Sequence, residues 1–144
     1  FVDYNCGYCQ KFHQELINLM KDNSLKLVII QMPILGNFSE ELTKLALASS
    51  LQGQFKVVHN YLYSTERKSK MEDILADLFL RGVDLDILKN DLDSQEVSDF
   101  LSIHRSYADE FKFTGTPATI IGNQIIPGFI DADKITEILE KEFS

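Results

Sequence analysis

Apolar residues recur along this chain with two different periods, and the points where the period changes outline its elements. Phe1-Val2 is an apolar pair that runs directly into the turn Asp3-Tyr4-Asn5, which reads as the end of a strand truncated at its N-terminal side. Over residues 7–21, Phe12, Leu16, Ile17, Leu19 and Met20 recur at helical spacing, and Asp22-Asn23-Ser24 closes that helix. Residues 25–32 contain the run Leu27-Val28-Ile29-Ile30 and stop at Pro33. This pattern predicts a parallel strand covered on both faces. After Gly36, Asn37 and Glu40 have capping-box spacing, and Leu42, Leu45, Ala46 and Ser49 trace one helical face up to Gly53. Further helical stripes are Phe55, Val58 and Leu62; Met71, Ile74, Leu75, Leu78 and Phe79, ending at Gly82; residues 85–92 behind Asp84; and Val97, Leu101, His104, Ala108 and Phe111. The period then shortens. Ala118-Thr119-Ile120-Ile121 and Gln124-Ile125-Ile126-Pro127 flank Gly122-Asn123, the signature of a two-residue hairpin. Asp131 can cap a last helix through Ile135, Ile138, Leu139 and Phe143.

The expected product is one α/β domain with a mixed sheet and helices on both faces, because a parallel pair joined by a helix needs a right-handed crossover and the hairpin adds an antiparallel edge. Composition narrows its partners. The 144 residues carry 14 Lys and Arg against 22 Asp and Glu, for a net charge of −8, the wrong sign for a phosphate backbone or an anionic membrane. Apolar runs stay far below the roughly 20 residues that span a bilayer. Two cysteines, Cys6 and Cys9, are too few for a disulfide scaffold, so any role they have is local chemistry.

Cys6-Gly7-Tyr8-Cys9 stands where a strand gives way to a helix. The first cysteine of such a motif sits beside unpaired N–H groups and the positive end of the helix dipole, which favours its thiolate and suits it to thiol–disulfide exchange. Cys9, one turn further in, faces inward beside Phe12 and His13 and can resolve a mixed disulfide, while Gly7 and Tyr8 set strain and access. Cys6, Cys9 and His13 also have zinc-ligand spacing, but a closed structural site needs a fourth ligand and no second cysteine pair exists. His13, His59 and His104 each fall on a predicted helix and read as packing or surface residues, with His13 notable for its place one turn from Cys9. Thr116-Pro117, preceding a strand, is compatible with a simple strand start or with a cis bond in a tight loop near the cysteines.

Together, residues 1–9, the long helical stretch after Met32-Pro33-Ile34-Leu35-Gly36, Thr114-Gly115-Thr116-Pro117-Ala118, Ile120-Ile121-Gly122-Asn123 and Ile126-Pro127-Gly128 resemble the DsbA family of bacterial thiol:disulfide oxidoreductases over the whole chain. The resemblance implies a thioredoxin-like fold whose core comprises residues 1–35 and 114–144, with an all-helical subdomain inserted at 36–113. It implies a periplasmic or otherwise extracytoplasmic location, unfolded or folding exported proteins as substrates, and a membrane-bound redox partner. Gly7-Tyr8 and Thr116 are similar to what the isomerase DsbC carries at those places, so the resemblance leaves oxidase and isomerase both open.

The resulting expectation is a protein disulfide oxidoreductase with Cys6 as nucleophile, Cys9 as resolving thiol and Thr116-Pro117 shaping the substrate groove. The reversible Cys6-Cys9 disulfide serves as redox centre, with no metal or organic cofactor. The Thr116 hydroxyl is expected to reach the Cys6 thiolate, and the helical insertion to govern partner choice rather than chemistry. Rival readings are an isomerase or reductase of the same fold, a non-catalytic protein-binding module, and a cytosolic thioredoxin-like reductase.

Overall fold

The computed structural model describes residues 1–22 and 25–144. The described elements are α1 (Gly7–Asp22), α2 (Asn37–Leu51), α3 (Phe55–Leu62), α4 (Met71–Leu80), α5 (Leu85–Asp91), α6 (Gln95–Glu110), β1 (Ala118–Ile121), β2 (Gln124–Pro127) and α7 (Ala132–Phe143). Local chemistry sets several boundaries. Asp84 caps α5 by accepting from the amides of Asp86 and Ile87, Ser94 caps α6 through Val97, and Asp131 caps α7 through Lys134. The capping box expected at Asn37 and Glu40 does not form. Gly36, at φ 98°, makes the bend into α2 and Asn37 is already helical, while the Glu40 carboxylate pairs with Arg105 at 2.9 Å.

β1 and β2 pair antiparallel with Ile121 opposite Gln124, so Gly122-Asn123 is the predicted two-residue turn. The pairing continues on the other side of β1. Phe1 exchanges both backbone hydrogen bonds with Ala118, at 2.7 and 3.1 Å. Val2 then bridges in parallel to Gln31, its amide donating to the Ile30 carbonyl at 2.9 Å and its carbonyl accepting from the Met32 amide at 2.8 Å. The backbones therefore lie in the order 30–32, 1–2, β1, β2, parallel at the first junction and antiparallel at the rest.

The strand expected over residues 25–32 is reduced to that one bridge, and it is not covered on both faces: Leu27 is 39% and Val28 64% exposed. A ladder needs a neighbour's N–H and C=O groups. Val2 supplies them only at the level of Gln31, and residues 25–30 otherwise border an apolar cavity of about 800 Å³ shared with α1, α7 and β1. The predicted helix end at Asn23-Ser24 lies outside the described residues.

Buried side chains of α2 to α6 and their loops, including Leu42, Leu45, Val58, Leu62, Ile74, Leu78, Val83, Leu88 and Val97, form one cluster that runs without a break into Tyr4, Cys6 and Cys9. On the far side, α7 turns Ile135 and Ile138 inward and packs against β1 and α1. No helix among the described residues is long and apolar enough to cross a membrane.

Candidate active site

Cys6 occupies the capping position of α1. Its carbonyl accepts the first helical hydrogen bond, from the Gln10 amide at 3.1 Å, and its Sγ accepts from the Cys9 amide at 3.1 Å. A serine or aspartate oxygen at a helix start does the same thing, satisfying an otherwise orphaned N–H. The sequence expectation of a sulfur at the positive end of the dipole therefore has a specific geometry: Sγ is the acceptor at which the helix terminus points. The site opens toward solvent at the next two positions, Gly7 and Tyr8, with Tyr8 66% exposed. Tyr8 lies 6.1 Å from the Phe129 ring, over which Lys11 sits at 4.6 Å. Ile34 and Leu35 add further exposed apolar surface from the loop bonded to Asp3.

Cys9 is entirely buried. Burial, reinforced by the hydrogen bond with Cys6, pushes its thiol up to about 12. The chain brings Thr116-Pro117 to this pair from 110 residues away, with the peptide bond cis. The Cys6 thiol donates to the Thr116 carbonyl at 3.5 Å, and the Thr116 side chain favours the Cys9 thiolate, opposing the effect of burial. The expected contact between Thr116 and Cys6 is made by the backbone carbonyl rather than by the hydroxyl. The two cysteines and Thr116 converge as the sequence predicted, with different atoms in contact.

A second group of residues, unforeseen from the sequence, holds the cysteine loop in place. Asp3 is fully buried, and its carboxylate accepts four hydrogen bonds: Asn5 N–H and Ser39 Oγ–H on Oδ1 at 2.8 and 2.7 Å, and Ile34 and Leu35 N–H on Oδ2 at 2.8 and 3.0 Å. Its carbonyl accepts from the Tyr63 hydroxyl at 3.1 Å and from the Cys6 amide at 3.2 Å. Arg67 donates to the Tyr4 carbonyl at 2.7 Å and to the Asn5 side chain at 3.3 Å. An aspartate three residues before the first cysteine, at the end of an apolar pair, was a usable signal for the first. Tyr63 directly follows α3 and Arg67 lies between α3 and α4, and nothing local in the sequence marks them.

The three histidines are buried or partly buried. His104 Nδ1 accepts from the Gln31 amide at 2.9 Å and is a structural acceptor. Gln31 Nε2 donates to the Tyr4 hydroxyl at 2.9 Å, and the same hydroxyl is hydrogen-bonded to His59 Nδ1 at 2.8 Å. Burial, with His13 nearby, pushes His59 down to about 3. His13 stands 4.7 Å from the His59 ring and 5.0 Å from that of Tyr63, measured between centroids.

This geometry has relatives. Residues 1–140 match the model of the DSBA-like thioredoxin domain. A probable disulfide bond formation protein D from Bacillus cereus is 24% identical, aligned over 99% of this chain and 71% of that protein. Among solved structures, a thioredoxin-like oxidoreductase from Silicibacter pomeroyi superposes with a TM-score of 0.90 at 28% identity, covering 98% of this chain and 82% of the other. The thiol-disulfide exchange protein alpha-DsbA2 from Wolbachia pipientis gives 0.88 at 25% identity, covering 98% and 78%. A match spanning nearly the whole chain, with a paired-cysteine helix start and the thioredoxin-like arrangement of its strands, means that this chain belongs to the DsbA-like thioredoxin family and is a thiol-disulfide oxidoreductase.

Proposed function

We propose that the chain introduces disulfides into exported proteins as they fold, with Cys6 as the exchanging sulfur and Cys9 as its internal partner. The observation that carries this reading is the asymmetry of the pair: Cys6 lies at the helix terminus beside exposed Tyr8, whereas Cys9 is fully buried and pushed up to about 12. In the oxidising direction a substrate thiolate attacks Cys6 Sγ, and the Cys6–Cys9 bond breaks with its electron pair leaving on Cys9, which takes up a proton. A second substrate thiolate then attacks the substrate sulfur of the mixed disulfide. Its disulfide forms, and Cys6 leaves with the electrons. The reverse sequence, in which Cys9 attacks the mixed disulfide and frees the substrate, uses the same atoms.

Thr116-Pro117, Tyr8, the half-buried Phe129 and the exposed apolar surface at Ile34 and Leu35 suit an extended, partly apolar peptide next to Cys6. The disulfide itself is the redox centre in this reading, without metal or organic cofactor. Family resemblance supports a periplasmic or other extracytoplasmic setting and a membrane-bound partner that reoxidises the pair.

The test is to mix the oxidised protein with a reduced, unfolded protein that needs several disulfides, and to follow thiol loss by alkylation and mass spectrometry. One disulfide delivered per enzyme, lost in Cys6→Ser, is expected. Transfer only from a scrambled or oxidised substrate to the reduced enzyme would instead assign an isomerase or reductase, and failure to exchange with any thiol would favour a binding module.

A further inference from the structure

Resolution of a mixed disulfide leaves one proton without a destination. Cys9 is protonated at rest, yet it must attack as a thiolate. His13 follows Cys9 by four residues in α1, so the two share a helix face with Cβ atoms about 5–6 Å apart, and long side chains in a helix lean toward its N-terminus. Both line the same apolar cavity, together with His59 and Tyr63. His13 is 6% exposed and its Nε2 has no hydrogen-bond partner. Asn60 favours the protonated ring, and in the tautomer that carries its proton on Nδ1 the unpartnered Nε2 keeps its lone pair. A buried imidazole nitrogen without a partner costs stability, which makes its presence beside a thiol informative.

Most of the other titratable groups around the cavity have partners. His59 Nδ1 is paired with the Tyr4 hydroxyl at 2.8 Å; its Nε2, like that of His13, has no partner, but His59 lies on α3, whereas His13 shares the α1 face with Cys9. The Tyr63 hydroxyl donates to the Asp3 carbonyl. The Phe1 amine donates to the Ala118 carbonyl. Lys26 and Tyr107 complete the titratable groups of the wall, which includes no carboxylate among the described residues. We propose that His13 Nε2 accepts the Cys9 proton as Cys9 attacks the mixed disulfide, and returns it when Cys9 is expelled in the opposite direction. This rests on the reading of Cys6 as exchanging sulfur and Cys9 as resolving thiol.

In the resolving step the Cys9 S–H bond breaks, the proton passes to Nε2 and the electron pair stays on sulfur. That sulfur bonds to Cys6 Sγ while the bond from Cys6 to substrate breaks and its electrons leave on the substrate sulfur. The two cysteines are oxidised to a disulfide, the substrate sulfur is reduced, and the imidazolium releases its proton to solvent. Burial keeps both groups neutral beforehand, so proton movement accompanies sulfur–sulfur bond formation.

Dithionitrobenzoate separates the steps. Attack by Cys6 on this aromatic disulfide releases one thionitrobenzoate, and resolution by Cys9 releases a second, each followed by absorbance in a stopped-flow instrument. In His13→Gln the first release should be unchanged, while the second should slow at least tenfold near neutral pH, the lower end of what a positioned base contributes being about 10²-fold for a full substrate. The deficit should shrink as hydroxide rises. Imidazole added to His13→Ala should restore the second release, which a purely structural role would not allow; this arm decides the question if His13→Gln fails to fold. A second release at the wild-type rate in His13→Gln over the whole pH range, or a uniform slowing that imidazole does not relieve, would overturn the proposal. Cys9→Ser should release one equivalent only. If the unsubstituted protein also releases one equivalent, the functional reading of Cys9 fails, a result distinct from any behaviour of His13.

Discussion

Leu42, Ile74, Leu78 and Leu88 in α2, α4 and α5 are completely buried, whereas Ile125 on β2 keeps 54% of its surface and Val28 beside the cavity 64%. The helical stretch is packed as a closed core; the hairpin and residues 25–30 form a looser sheet around an open apolar space. The cysteines do not belong evenly to both. Cys6 and Cys9 join the same buried cluster as the helices, and Tyr63 and Arg67 of that stretch fix the backbone just before Cys6. The sheet side contributes Thr116, reaching the pair from behind. The expectation that residues 36–113 act only in partner choice therefore understates them. They supply the packed wall against which the sulfurs are held.

If the two regions are joined chiefly through Asp3, breaking that knot should have the largest effect. Asp3→Ala removes the acceptor of four hydrogen bonds, each buried donor left without one costing about 1–3 kcal/mol, so a loss of about 5 kcal/mol in urea unfolding is expected after allowing for non-additivity. A loss below about 1 kcal/mol would show the halves to be joined by apolar packing alone.

Acid should act next. His59 is buried at the contact of α1 and α3, with its folded value near 3 against an ordinary 6.5. The unfolded chain binds the proton more readily, so this contribution is intact above about pH 6.5, declines as pH falls, and is exhausted near pH 3, for a total on the order of 4 kcal/mol. Denaturant titrations at several pH values should show that slope, and His59→Phe should flatten it.

A single truncation then compares the regions directly. Leu78→Ala should cost about 3 kcal/mol as a cavity in a closed core. Ile125→Ala, on the exposed strand, should cost less than about 0.5 kcal/mol. Similar values from thermal unfolding would erase the contrast.

Much of this architecture was legible because periodicity reports which face of a helix is buried. Seven helices could be read from apolar spacing and turn signals, and Asp84 and Asp131 from capping preference, since these signals are local. Residues 25–32 misled for the opposite reason: Leu-Val-Ile-Ile states that burial is favourable, while whether it happens depends on which backbone lies alongside. Cys6 and Cys9 announced themselves by spacing, and Thr116-Pro117 through family resemblance. Gln31, Tyr63, Arg67 and the partner of His59 were invisible, because each acts through a contact dozens of residues away.

The capping geometry of Cys6 has a mechanical corollary. The lone pair that receives the Cys9 N–H belongs to the same sulfur that substrate must bond. A disulfide sulfur still carries lone pairs but is a weaker acceptor than a thiolate, so this bond weakens while substrate is attached and strengthens when the thiolate is returned. The backbone amide of Cys9 becomes a built-in gauge of chemical state, its hydrogen exchange fastest while a substrate is attached. The helix end and the reacting bond share one sulfur atom, so the strength of the cap follows the charge on that sulfur.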